Sequence, residues 1–224
     1  MNIIQHQFPK DHYVQEKTVK RQIVLHHTVS GPSVEAVIAW WLQTPERVAT
    51  HFLIDREGGV HQLFDESYWA YHLGLAQKHF NVAHLPYQNI DRMSIGIELV
   101  AWGPVLPHTD GQFYPVKWNG TTHVPNTACK PVKYFYEYCE KSRWKDFLYF
   151  EKYTTAQLTS LKELLRELCK RHHIPMDYNN DMWVVSTKAL RGESGIFGHC
   201  SYRFDKSDVH PQPELVNMLK QLKN

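Results

Sequence analysis

The clearest apolar run near the start of the chain is Ile23, Val24 and Leu25, which ends on the polar residues His26, His27 and Thr28. This is the pattern of a buried strand that surfaces at its C-terminal end. Ser30, Gly31 and Pro32 break it, and Val34, Val37, Ile38, Trp41 and Leu42 then recur at helical spacing. Two further runs, His51 to Asp55 and Val60 to Phe64, flank Gly58 and Gly59 and predict a β-hairpin. Ser94 to Val100 reads as another strand. Its Ile95, Ile97 and Leu99 face one way and Ser94, Gly96 and Glu98 the other. A carboxylate in so apolar a strand is either functional or paired.

The later part of the chain behaves differently. Residues 101 to about 150 are rich in Pro, Gly, Tyr and Trp with irregular spacing, and read as an insertion. Within it, Phe113 to Trp118 followed by Asn119-Gly120 predicts a small hairpin. Thr154 with Gln157 has the form of a capping box. It opens a helix with Leu158, Leu161, Leu164, Leu165 and Leu168 on one stripe, ending near His172, His173 and Pro175. Gly195 to His199 reads as a short last strand, and Pro213 to Leu222 as a closing helix. Residues 1–20 are polar and mixed, an extended arm over a domain at 21–224. Strands mixed with helices predict one α/β domain.

Composition narrows the function classes. Of the 224 residues 42% are hydrophobic and 21% charged, which suits a globular chain with a core. A net charge of +2 is too mild to argue for nucleic acid. No stretch approaches a membrane span, and the first residues lack the apolar run of a signal peptide. The expectation is a soluble chain, cytoplasmic as synthesised, that reaches any target outside the cell through a holin or another route. The four cysteines show no CxxC pairing and read as ordinary thiols. Fifteen histidines make their positions worth following.

His26 and His199 each end an apolar strand, and Asp208 follows His199 on a loop. Two imidazoles and a carboxylate form a set suited to one catalytic zinc ion with a position left for water. Glu98 is the candidate proton shuttle, and Lys206 a candidate ammonium for an oxyanion. The plainer reading makes His26 and His199 hydrogen-bonded strand-end residues, with Glu98 paired to an arginine.

Seven segments, in order, resemble the type-2 N-acetylmuramoyl-L-alanine amidase family. They are Ile23 to Thr28, Ala49 to Gly58, Ala70 to Gly74, Ser94 to Leu99, Tyr153 to Gln157, Gly198-His199 and Lys206 to Asp208. The resemblance implies a central mixed β-sheet flanked by helices, with a zinc site at the sheet rim. It implies His26, His199 and Asp208 as ligands, Glu98 as general base and acid, and Lys206 as oxyanion support. The implied reaction is hydrolysis of the amide between N-acetylmuramic acid and L-alanine in peptidoglycan or muropeptides. An alternative within the same resemblance is a recognition module that binds peptidoglycan without cutting it.

Departures from the family pattern leave questions. After Asp208 the chain runs Val209-His210-Pro211, so His210 rivals Asp208 as third ligand. Asp208 is preferred because Lys206 keeps the register. His27 is expected as a core or supporting residue, and Cys200 is expected to point away. Trp69 and His72 are candidates for a substrate groove, since their segment lies between matched ones.

Overall fold

A computed structural model describes residues 2–223. Six strands form the main sheet: β1 (Ile3–Gln5), β2 (Gln22–His27), β3 (Phe52–Ile54), β4 (Val60–Gln62), β5 (Ser94–Leu99) and β11 (Gly195–Gly198). Their spatial order is β1-β4-β3-β5-β2-β11. The hairpin pair β3 and β4 is antiparallel, and the remaining neighbours are parallel. The arm is thus stitched into the sheet edge, with Phe8 and Tyr13 buried behind it.

Period two sorts the central strands onto two faces. Ile23, Leu25, Ile95, Ile97 and Leu99 pack beneath α3 (Thr155–His172) and α5 (Pro213–Lys220) in one cluster. The leucine stripe of α3 supplies Leu158, Leu161, Leu164, Leu165 and Leu168 to that layer. The capping box forms as expected, with Thr154 Oγ1 accepting from Gln157 N at 3.0 Å and Gln157 Oε1 accepting from Thr154 N at 3.0 Å. On the opposite face, Leu53 packs with α1 (Val34–Leu42). Val24 and Phe197 pack with Leu73, Phe80 and Tyr202. Phe80 belongs to α2 (Gln77–Asn81), and Ala189 of α4 (Thr187–Leu190) joins the same cluster.

The segment after β5 is more regular than its composition suggests. It forms an antiparallel sheet of β6 (Pro104–Pro107), β7 (Phe113–Trp118), β8 (His123–Pro125), β9 (Phe135–Glu137) and β10 (Tyr149–Glu151), in the order β8-β7-β6-β10-β9. The Asn119-Gly120 turn between β7 and β8 is the expected one, with Gly120 at φ 100°. Among the described residues no helix is long and apolar enough to cross a membrane. The four cysteines are unpaired.

Candidate active site

Register brings the ends of the chain together. β11 pairs in parallel with β2 so that Gly198 lies beside Leu25, and the next residues, His199 just past β11 and His26 within β2, stand at the same level. Asp208 returns on the following loop, its carbonyl accepting from Cys200 N at 3.1 Å. His26 Nδ1 and His199 Nδ1 are 3.1 Å apart, and Asp208 Oδ2 lies 3.0 Å from the first and 2.9 Å from the second. All three residues are buried.

The outer ring nitrogens are also engaged. His199 Nε2–H donates to the carbonyl of Leu73 at 3.1 Å. His26 Nε2 meets His72 Nδ1 at 2.9 Å, and His72 Nε2 meets Ser94 Oγ at 2.8 Å. With His72 donating to Ser94, its Nδ1 accepts from His26, which leaves the His26 lone pair on Nδ1. Burial pushes the His26 imidazole down to about 4, with the Asp208 carboxylate beside it opposing the shift. Burial would raise the Asp208 carboxyl, but His199 and then His26 outweigh it and hold the group well below its ordinary value. Three lone pairs that converge in this way repel unless a proton or a cation lies among them, and one proton cannot serve all three.

Glu98 stands on β5 directly beside His26 in the parallel register, so both side chains leave the same face. Its Oε2 is shielded from solvent and has no hydrogen-bond partner among the described residues. Burial raises this carboxyl well above its ordinary value, the Asp208 charge adds to the effect, and the Lys206 ammonium opposes it. The arginine pairing considered from sequence does not occur: Arg56 pairs with Glu151 instead, at 2.8 Å.

The N-acetylmuramoyl-L-alanine amidase family profile matches residues 15–213. The chain belongs to that family. Membership supports amidase action on peptidoglycan. Solved structures of the same fold include PlyL, at 12% identity and TM-score 0.53, covering 98% of both chains. A mutant endolysin from Bacillus subtilis matches at 16% identity and TM-score 0.52, covering 100% of this chain and 99% of its own. The catalytic domain of XlyA matches at 15% identity and TM-score 0.51 over 100% of both chains. No curated protein matches significantly.

Within the amidase fold, other sequence candidates take distinct places. His210 stands outside the cluster: its Nδ1 meets the Tyr138 hydroxyl at 3.0 Å and its Nε2–H donates to Glu151 O at 3.1 Å. His27, on the α3 face, has its Nδ1 2.9 Å from the Tyr153 hydroxyl and serves the core. Cys200 donates to Met182 O at 3.2 Å, away from the cluster. His72, expected in a substrate groove, is instead buried behind His26 (2% side-chain exposure) as its hydrogen-bond partner. Trp69, the other groove candidate, is buried under the arm. Its indole donates to Glu16 at 3.1 Å and its backbone bridges to Val14.

Sequence reasoning missed the residues that brace the site. Asp91 Oδ1 accepts from His72 N at 2.9 Å and Leu73 N at 3.0 Å, fixing the segment that contacts both clustered imidazoles. Trp144 Nε1 donates to Ser207 O at 2.8 Å and Lys145 Nζ to Phe204 O at 2.7 Å, so the connection between β9 and β10 of the second sheet grips the loop of Lys206 and Asp208. Gly96 was the available signal for the first. A Cβ there would stand 3.2 Å from His72 Cγ and 2.8 Å from Thr50 Cγ2, so only glycine leaves room for the supporting ring. A cavity of about 1070 Å³ between the second sheet and α3 includes Trp102, Tyr153 and Lys162 but none of the three clustered residues.

Proposed function

We propose that this chain is a zinc-dependent amidase that hydrolyses the bond between the lactyl group of N-acetylmuramic acid and the L-alanine of the stem peptide. The observation that carries the reading is the buried triangle of His26 Nδ1, His199 Nδ1 and Asp208 Oδ2, with edges of 2.9–3.1 Å. Zinc bonds of about 2.0–2.1 Å in tetrahedral geometry need ligand edges of roughly 3.3 Å, which small side-chain adjustments supply. Two neutral imidazoles and a carboxylate also match its ordinary ligand chemistry. His26, His199 and Asp208 would hold the ion. When bound, zinc supplies a Lewis acid and lowers the pKa of a water to about 7.

The protein's own residues do the rest. Glu98, with its unpartnered Oε2 and raised affinity for a proton, takes the proton of the attacking water. It then delivers that proton to the departing L-alanine nitrogen. The Lys206 ammonium offsets negative charge developing on the lactyl carbonyl oxygen. His72 and the Leu73 carbonyl hold the two imidazoles in the tautomer that faces Asp208.

Glu98 and Lys206 favour turnover over recognition alone, since binding a wall needs neither a proton shuttle nor an oxyanion partner. The test is the appearance of new L-alanine amino termini when purified sacculi are treated with zinc-loaded protein. Glu98→Gln, which keeps shape, should lower that rate by about 10²–10⁴-fold while bound zinc stays at one ion. Wall binding by the unmodified protein with no new termini sinks the enzymatic reading.

A further inference from the structure

The second sheet does more than brace the loop of Lys206 and Asp208. Between that loop and β7–β8 lies a groove of about 420 Å³ whose lining includes Val29, Trp118, His123, Phe147, Phe204 and Ser207. It adjoins the site through Ser207, which lies between Lys206 and Asp208. Three of its large apolar side chains are exposed: Val29 by 55%, Trp118 by 59% and Phe204 by 75%. The three side chains line one groove rather than lying scattered over the surface.

The groove is built in a defined shape. His123 packs edge-on to Trp118, with centroids 5.0 Å apart at 68°, and edge-on to Phe147 at 5.1 Å and 63°. This buttress fixes the indole. Val29 has φ 50°, the left-handed region that a β-branched residue adopts only under constraint. Lys145, Asp146 and Ser207 supply a polar margin. Apolar faces with polar edges complement a pyranose ring, whose C–H faces are apolar and whose hydroxyls point outward.

We propose that this groove is a glycan subsite for N-acetylated amino sugars, with Trp118 as its specificity-determining residue. The inference rests on the amidase reading for its choice of ligand, because the sugar that carries the lactyl group must lie beside the cleaved bond. The second sheet then selects substrates by their glycan, while the clustered residues of the first act on the amide.

The test compares two substrates that share the cleaved amide: a disaccharide carrying the stem peptide, and a lactyl-peptide without sugar. Trp118→Ala should raise KM for the first about tenfold, leave kcat within about twofold, and leave both constants for the second unchanged. Trp118→Phe should restore most of the loss. An equal effect on both substrates, or none on either, overturns the proposal. Binding of the peptide-free disaccharide, followed by calorimetry, keeps the two readings separable. If nothing is hydrolysed but Trp118→Ala abolishes that binding, the amidase reading fails and the subsite stands. If the unmodified protein does not bind the disaccharide, the subsite fails. Trp118 is exposed, so its removal uncovers no core, and an unchanged melting temperature confirms the fold.

Discussion

His72 Nδ1 lies 2.9 Å from His26 Nε2, with the two rings crossed at 80°. The contact sets which nitrogen of His26 carries its proton, and so whether Nδ1 is free to bind a cation. Replacing His72 by alanine should weaken zinc affinity about 10–100-fold, read by competition with a chromophoric chelator. His72→Gln can still accept from His26 Nε2 and should recover part of the loss. Unchanged affinity in His72→Ala would mean that His26 is held by packing alone.

Gly96 is the floor on which His72 rests. In Gly96→Ala the new methyl would meet buried Thr50 Cγ2 at 2.8 Å and His72 Cγ at 3.2 Å, with a central strand behind it. Such overpacking costs about 1–3 kcal/mol. Calorimetric melting should show that loss, and zinc affinity should fall with it because the supporting ring is displaced. A variant that melts normally and binds zinc normally would count against this packing.

His51 makes a pH prediction away from the clustered residues. Its Nδ1 accepts from Gly96 N at 3.1 Å and its Nε2–H donates to Tyr68 O at 3.0 Å, so the native fold needs it neutral. Burial pushes its pKa down to about 3. The unfolded chain takes up that proton below about 6.5, so stability falls as the pH drops from there towards 3. Between pH 6.5 and 4.5 the loss from this residue is on the order of 2–3 kcal/mol. His26 and His27, each pushed down to about 4 chiefly by burial, act in the same direction. His51→Asn should flatten the acid side of a curve of urea midpoint against pH without abolishing it. An unchanged slope would rule His51 out as a source.

Trp144 ties the second sheet to the loop of Lys206. Trp144→Phe keeps an aromatic ring but removes the donor to Ser207 O, a bond worth about 0.5–1.5 kcal/mol net. The loop should become more susceptible to limited proteolysis around residues 203–207, and kcat should fall while zinc content holds. Equal proteolysis of the two proteins would show that Lys145 and the remaining contacts suffice.

Much of this protein is written in short-range pattern. The runs at Ile23 to Leu25 and Ser94 to Leu99, the hairpin around Gly58 and Gly59, and the capped leucine-striped helix all form as their periodicity predicts. Period two also placed Glu98 opposite Ile95, Ile97 and Leu99, the face that β2 shares with His26. The His26, His199 and Asp208 set was legible because strand ends suggested it and the resemblance of seven ordered segments to the amidase family singled it out. Folding brought those residues together.

What sequence alone left undecided depended on contacts between distant segments. Whether Asp208 or His210 joined the cluster turned on which of two neighbouring side chains found partners elsewhere, and His210 is held by Tyr138 and Glu151. His72 and Trp69 both looked like groove residues, yet one is enclosed behind His26 and the other beneath the arm. The irregular stretch after residue 100 gave no strong period because its strands are short and fewer than half of their residues are buried. Periodicity reports which face of one element is buried. Only the assembled structure decides which element buries it, and hence where each polar group finds its partner.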